Sequence, residues 1–219
     1  MLDLPLKNKS NTKFKKMKKI VSVCIAVLLF AVTSLNARVN TSVGLKIQAN
    51  YSKYRISGMG DADSKYGAGA GIGGFAKIEF GEHFALQPEL LLNFTDSKIK
   101  NNGSTKYCYV GLEIPLYAVG QINAGNGKLF LGAGPYAAYG ITNKAKNGSS
   151  VNLYKKQNGQ NKAMMDRFDF GVGGILGYEF EGGFIVNAGY RMGLKDNLKS
   201  GWAGSMKTSA FSLGVGYKF

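Results

Sequence analysis

The run Gly69-Ala70-Gly71-Ile72-Gly73-Gly74 satisfies the G-x-G-x-x-G pattern with which dinucleotide-binding sites approach a pyrophosphate. That chemistry needs a helix N-terminus directly after the glycines, where backbone N–H groups meet the phosphates. The following residues, Phe75-Ala76-Lys77-Ile78-Glu79-Phe80, alternate between apolar and charged and therefore predict a strand. We expect no nucleotide site, and we expect the glycines to make room for large neighbouring side chains.

The residue types needed for catalysis or metal binding are scarce. His83 is the single histidine of the chain and lies in the short segment Gly81-Glu82-His83, which predicts a solvated turn. The pair Asp61 and Asp63 is spaced like the start of a calcium loop, but Lys65 occupies the next ligand position. The sequence therefore predicts no catalytic set, no metal site and no cofactor.

A set of charged residues recurs on one face of alternating segments, where a soluble protein core would be apolar. Its members are Lys46, Lys77, Glu79, Glu89, Glu113, Asp169, Glu179, Arg191 and Lys218. Four are basic and five are acidic, so they can pair across a narrow interior, whereas each would be costly to bury alone. The alternative is a soluble sandwich in which these faces lie in water.

The elements that carry these charges are eight segments with a period of two. They lie at 43–52, about 68–80, 84–95, about 107–121, about 128–141, about 167–180, 184–194 and 211–219. Short turns (81–83, 123–127, 181–183) alternate with long polar connections (53–67, 96–106, 142–166, 195–207). This alternation is typical of outer-membrane barrels. We therefore predict an all-β fold, an eight-stranded antiparallel transmembrane β-barrel with short periplasmic turns and long extracellular loops.

The first 37 residues have the features of a secretory signal peptide. A basic flank ending at Lys19 precedes an apolar run from Ile20 to Val32, which is too short to span a membrane, and Ala37 offers a cleavage site. We expect residues 1–37 to be the signal peptide and residues 38–219 to be the barrel domain. Because Met17-Lys18-Lys19 would itself make a normal signal start, residues 1–16 are a candidate for an over-extended start.

The net charge of +15 at first suggests a nucleic-acid partner. Residues 1–37 hold seven Lys and one Asp, so the mature chain retains 21 basic and 12 acidic residues, a net charge of +9. Counted over 53–66, 97–106, 142–165 and 195–207, the long connections carry fourteen of the basic residues against three Asp, and we expect no nucleic-acid partner. A basic extracellular surface attracts the phosphates of the outer-leaflet glycolipid, lipopolysaccharide; a merely soluble loop surface is the alternative. The candidate glycolipid contacts are Lys98, Lys100, Lys144, Lys146, Lys155, Lys156 and Lys162.

Aromatic residues gather near the strand–loop junctions and predict an interfacial belt. They are Tyr51, Tyr54, Tyr66, Tyr107, Tyr109, Tyr139 and Trp202. The last strand places Ser212, Gly214, Tyr217 and Phe219 at fixed spacing and resembles the closing strand of bacterial outer-membrane proteins. That resemblance implies recognition of the terminal aromatic by the barrel-assembly machinery.

Several short sequence motifs within the predicted strands resemble those of the porin-like, PorT-type outer-membrane barrel domain common in Bacteroidota. They are Leu112-Glu113-Ile114-Pro115-Leu116, Gly134-Pro135-Tyr136, Asp169-Phe170-Gly171, Gly177-Tyr178-Glu179-Phe180, Tyr190-Arg191 and Gly193-Leu194. The resemblance spans nearly all of 41–219 and implies fold and location. We expect a non-enzymatic barrel with a lumen filled by side chains and basic loops for surface, glycolipid or partner contact. The alternatives are an accessory role in protein secretion of the type IX kind, which the family implies, and a small porin.

Overall fold

The computed structural model describes residues 39–58, 63–100, 104–147, 149–155, 163–198 and 204–219. Within them the chain forms ten strands: β1 (Val39–Ser57), β2 (Asp63–Lys65), β3 (Gly67–Phe80), β4 (Phe84–Lys100), β5 (Ser104–Ala124), β6 (Gly127–Asn147), β7 (Ser149–Asn152), β8 (Phe168–Phe180), β9 (Phe184–Gly193) and β10 (Ser205–Lys218). Among the described residues, no helix is long and apolar enough to cross a membrane.

Eight of the strands close into a ring. Their order is β1, β3, β4, β5, β6, β8, β9 and β10, and β10 returns to pair with β1 in antiparallel register, with Leu45 opposite Tyr217. The two short strands lie outside the ring: β2 pairs with the end of β4, and β7 pairs with the end of β6. Closure removes the unpaired strand edges that an open sheet would present to lipid. The predicted eight-stranded barrel is confirmed.

The side chains alternate between an apolar outer face and a polar inner face. On β4, Phe84 is 68% exposed and Phe94 is 44% exposed, whereas Glu89 and Asn93 between them are buried. A soluble sandwich would bury the aromatic face and expose the charged one. The observed arrangement is therefore that of a barrel whose outer wall meets hydrocarbon.

Two rings of outward aromatic side chains mark the membrane boundaries. The outer girdle comprises Tyr51, Tyr66, Phe94, Phe168, Phe170, Tyr190 and Phe211, and the inner girdle comprises Phe80, Phe84, Phe180, Phe184, Tyr217 and Phe219. On β4 and on β8 the two girdles lie ten residues apart, which is about 33 Å along a strand and about 25 Å across the membrane at a tilt of about 40°. That height matches the apolar band of outer-membrane barrels.

Of the six predicted belt positions that the structure describes, two are confirmed. Tyr51 and Tyr66 belong to the outer girdle, but Tyr54, Tyr107 and Tyr109 point inward or into the structure above the lumen. The physical reason is strand alternation: Tyr54 shares its face with Lys46, and Tyr109 shares its face with Glu113. Tyr139 is half-buried, and Trp202 lies outside the described residues.

The segments predicted as long loops are partly strand. β1 runs to Ser57, β4 runs to Lys100, β5 begins at Ser104 and β6 runs to Asn147. Neighbouring strands continue to pair above the outer girdle, as Ser97 and Tyr107 do on β4 and β5. On the opposite side, Gly81 (φ 76°) and Gly125 (φ 59°) take up the positive φ angles that short turns require.

Candidate functional site

The periplasmic half of the lumen is organised around the carboxylate of Glu179 on β8. Lys77 on β3 donates from Nζ to Glu179 Oε2 at 2.6 Å, and Lys218 on β10 contacts Oε1. Both Lys77 and Glu179 are buried. One carboxylate thus bridges two ammonium groups from different strands, which compensates charges that would be costly to bury singly.

Glu79 forms a second centre at the same depth. It accepts hydrogen bonds from Lys128 Nζ at 2.9 Å and Gln121 Nε2 at 2.8 Å, and Lys77 lies 3.9 Å away. Sequence reasoning missed Lys128, because the residue follows the turn directly and the alternation around it is weak. Its position opposite Glu179 in the β6–β8 register is the signal that places it in the lumen.

The middle of the lumen holds two further ion pairs. Lys46 Nζ lies 3.0 Å from Glu89 Oε2, and Gln87 donates to the other oxygen of Glu89 at 2.8 Å. Across the barrel, the Arg191 guanidinium contacts the Glu113 carboxylate. Lys46 and Glu89 are only 4% and 1% exposed, so this pair is fully withdrawn from water.

A chain of amides ends on the carboxylate of the second pair. Gln48 Nε2 donates to Asn50 Oδ1 at 2.9 Å, Asn50 Nδ2 donates to Asn93 Oδ1 at 2.9 Å, and Asn93 Nδ2 donates to Glu113 Oε2 at 3.0 Å. Each amide uses one group to donate and another to accept, so the direction of the chain is fixed by its end on a carboxylate.

Asp169 differs from the other charges that the sequence places in the lumen. Eight of the nine take part in ion pairs, whereas the Asp169 carboxylate accepts hydrogen bonds from Thr208 at 2.6 Å and Tyr136 at 3.3 Å. Its Oδ1 atom has no partner among the described residues and lines a cavity that Arg191 and Tyr109 also line.

Side chains fill the lumen between these clusters. A buried apolar layer lies between them: Phe75, Ala85, Tyr117, Val119, Phe130, Ile175 and Ile185. The spaces left in the middle and upper lumen are about 10 and about 50 Å³, room for one and for a few water molecules at about 10–15 Å³ each. Glycine supplies the clearance for the rings: a Cβ on Gly177 would lie 2.4 Å from the Phe130 ring.

A second hydrophobic core closes the extracellular mouth, and we call it the cap. Leu153, Met165 and Met206 are its buried centre, with Tyr54 and Leu198 packed around them. Backbone hydrogen bonds join its segments: Met165 N donates to Leu153 O at 3.1 Å, and an isolated bridge pairs Met165 with Leu198. The sequence did not predict this element, because its apolar residues are scattered through polar connections.

Two carboxylates outside the membrane stabilise the cap. Burial alone would raise the pKa of Asp166, but the hydrogen bond from Lys195 Nζ at 2.6 Å and its positive charge lower the pKa below the usual range. Asp196 accepts the backbone N–H groups of Leu198 at 3.0 Å and Met206 at 2.9 Å. Burial alone would raise the pKa of Asp196, but these hydrogen bonds together outweigh it and lower the pKa.

The residues considered for catalysis lie apart from this site. The glycines of 69–74 are in strand β3, so the expected absence of a helix N-terminus after them agrees with the fold. His83 is exposed in a periplasmic turn, Cys108 is half-exposed on β5, Asp63 is described by its backbone and Asp61 lies outside the described residues. No group of three or more His, Cys, Asp or Glu side chains that could hold a metal occurs in the described part of the chain.

The residues of the predicted assembly signal lie on β10. Tyr217 and Phe219 face outward in the inner girdle, with ring centroids 5.3 Å apart. Ser212 and Gly214 face inward, and Gly214 lies against Asn187 and Lys46.

The extracellular rim carries cations directly above the outer girdle. Lys53 Nζ lies 4.8 Å from the centre of the Tyr66 ring, and Lys195 Nζ lies 5.4 Å from the centre of the Phe168 ring. Among the candidate glycolipid contacts, Lys144 and Lys155 are exposed. Lys98, Lys100 and Lys146 are described by their backbone, and Lys156 and Lys162 lie outside the described residues.

Comparison with known structures finds outer-membrane proteins of low sequence identity. Ail, the attachment invasion locus protein of Yersinia pestis, is 16% identical with a TM-score of 0.47, covering 82% of this chain and 99% of Ail. Neisserial surface protein A is 16% identical with a TM-score of 0.47 over 82% and 99% of the two chains. OprG of Pseudomonas aeruginosa is 14% identical with a TM-score of 0.48 over 82% and 95%. No curated protein sequence matches the chain.

The sequence also matches a known protein family. Residues 33–199 match the model described as an outer membrane protein beta-barrel domain, which is most of the chain. The match agrees with the closed ring, the outward apolar wall and the two aromatic girdles. The protein resides in the bacterial outer membrane and belongs to the outer membrane protein beta-barrel domain family.

Proposed function

We propose that this protein is a non-enzymatic outer-membrane barrel with a closed lumen, whose extracellular rim binds the phosphate groups of lipopolysaccharide. The observation that carries the proposal is the pair of cations seated on girdle aromatics, Lys53 on Tyr66 and Lys195 on Phe168. A cation at the height of the girdle is at the level of lipid headgroups, where it attracts anionic groups.

The filled lumen supports the closed-barrel part of the proposal. Buried ion pairs occupy the periplasmic half and the middle, and the cap covers the extracellular end. An eight-stranded barrel is just wide enough to be filled by its own side chains. The surface above the membrane is then the part left to interact with other molecules.

The test is binding of the purified barrel to lipid A on a sensor surface. We expect binding to bisphosphorylated lipid A to exceed binding to dephosphorylated lipid A and to weaken at high salt. The variant Lys53→Gln removes about 1 kcal/mol of attraction, about a fivefold loss of affinity; Lys195 is kept in this test because its Nζ also pairs with Asp166 at 2.6 Å. The control Glu82→Gln changes a charge at the exposed periplasmic turn and leaves affinity unchanged. Equal binding to both forms of lipid A would refute the proposal.

Two processing steps and one alternative function belong to the same proposal. We propose that residues 1–37 are removed as a signal peptide and that residues 38–219 form the barrel domain, which N-terminal sequencing of the mature protein tests. We propose that Ser212, Gly214, Tyr217 and Phe219 engage the barrel-assembly machinery. The resemblance to PorT-type barrels of Bacteroidota supports an accessory role in secretion as the alternative function, which a secretion defect in a deletion strain would favour.

A further inference from the structure

The outer wall of the barrel carries an apolar groove of about 620 Å³, within the range of roughly 300–1,000 Å³ typical of small-molecule sites. Its floor is formed by Ala49 on β1 and Ala70 on β3, which contribute only methyl groups. The direct cross-strand neighbours of these alanines are large: Leu213 lies opposite Ala49, and Phe94 lies opposite Ala70. The two large side chains form ridges on either side of the floor.

The groove spans one leaflet of the membrane. It reaches down β1 to Ile47, and Lys53 stands six residues above that point on the same outward face. Six residues cover about 20 Å along a strand, or about 15 Å across the membrane at a tilt of about 40°. That is half of the hydrocarbon thickness of about 30 Å. The groove therefore extends from the middle of the membrane to the outer girdle at Phe94, and Lys53 lies above it at the headgroup level.

Three cations stand above the groove. Lys53 and Arg55 are successive outward-facing residues of β1. Arg55 lies directly opposite Lys207 in the β1–β10 register. Like charges that face each other across an antiparallel pair are destabilising. Arg55 donates one guanidinium hydrogen bond to Gly193 O at 2.7 Å, and its Nε atom has no acceptor among the described residues. An anion between these side chains would relieve the repulsion and supply the acceptor.

We propose that one molecule of lipopolysaccharide binds at this place, with an acyl chain in the groove over Ala49 and Ala70 and a sugar phosphate on Lys53, Arg55 and Lys207. This inference rests on the proposed function and assigns it a single site. The cluster favours a phosphate monoester, which carries about −1.5 to −2 charges at neutral pH, over the singly charged phosphodiester of a phospholipid.

The test fills the groove and removes its charges separately. Ala70→Phe places a ring on the floor of the groove, and Ala133→Phe places the same ring on the exposed outer face of β6 as a control. Native mass spectrometry counts lipid A molecules retained after release from detergent. We expect the wild type and Ala133→Phe to retain one molecule, Ala70→Phe to lose at least about fivefold in occupancy, and Lys207→Gln to lose about fivefold.

The outcomes separate this inference from the proposed function. Equal retention by Ala70→Phe and Ala133→Phe, with binding still dependent on phosphate and salt, would overturn the groove site and leave the proposed function standing. Retention that ignores the phosphates of lipid A would overturn both. Equal retention of phosphatidylglycerol would overturn the assignment to lipopolysaccharide. Heat-modifiable migration on a gel verifies folding of each variant, and Ala49→Leu replaces Ala70→Phe if that variant does not fold.

Discussion

The buried pair of Lys46 and Glu89 yields a prediction in which removing one charge costs more than removing both. Lys46→Met leaves the Glu89 carboxylate, 1% exposed, with the single hydrogen bond that Gln87 donates at 2.8 Å. Breaking a buried ion pair in this way costs about 3–5 kcal/mol of unfolding free energy. The double variant Lys46→Met, Glu89→Leu removes both charges and fills the same space with apolar groups. We expect it to lie within about 1 kcal/mol of the wild type, since replacing both partners is often neutral.

The assay is reversible urea unfolding of the barrel in lipid vesicles. The folded and unfolded fractions are measured by their different migration on a gel. Asp166→Asn serves as the comparison, because its pair with Lys195 is closer, at 2.6 Å against 3.0 Å for Lys46 and Glu89, but its two side chains are 42% and 24% exposed. An exposed pair contributes about 0.2–1 kcal/mol, so this variant stays close to the wild type. The reasoning is refuted if Lys46→Met costs less than about 1 kcal/mol, or if the double variant is less stable than Lys46→Met alone.

Three other outcomes follow from the geometry. Gly177→Ala drives a methyl group into the Phe130 ring and costs about 1–3 kcal/mol in the same urea assay, whereas Gly120→Ala, whose nearest atom would be 3.9 Å away, is neutral; equal costs would contradict the packing argument. Because Asp166 and Asp196 have lowered pKa values in the folded cap, the stability they add is complete above the unfolded pKa of about 3.9 and is lost as the pH falls through the folded values. The hydrogen-exchange protection factors of the cap, which correct for the intrinsic pH dependence of exchange, should therefore be unchanged from neutral pH to about pH 5 and fall below about pH 4, while protection factors that fall on raising the pH would reverse the assigned sign. In planar bilayers the filled lumen should give no large stable conductance, and steady openings would show that ions pass.

The sequence was most informative where one face of a strand meets lipid. On β4 the alternation of Phe84, Glu89 and Phe94 predicts both the direction of each side chain and the polar interior, because a shift by one residue would expose a charge to hydrocarbon. The sequence does not predict which charged residue pairs with which. Glu113 and Arg191 contact each other across the barrel from strands that are not neighbours. The distance between these two side chains is set by the curvature of the ring.

Above the membrane the sequence was much less informative. There the outward face of a strand no longer meets hydrocarbon and carries polar side chains such as Lys144, so the period-two pattern that marks the spanning segments fades, and strand continuations such as the end of β6 look like loops. The centre of the cap comes from Leu153, Met165 and Met206, which are isolated apolar residues in three separate stretches of polar chain. Their contact depends on the ring having brought β6, β8 and β10 together, and local sequence carries no signal for it.

The cap has a consequence for the order of assembly. Met206 belongs to β10, the last strand of the chain, whereas Leu153 follows β7 and Met165 precedes β8. The cap core is incomplete until the final hairpin has reached its place beside β1, so its formation is a late step that follows ring closure. Protection of the cap from external protease would then distinguish finished barrels from those still open at the seam between β1 and β10, and would time the end of insertion in living cells.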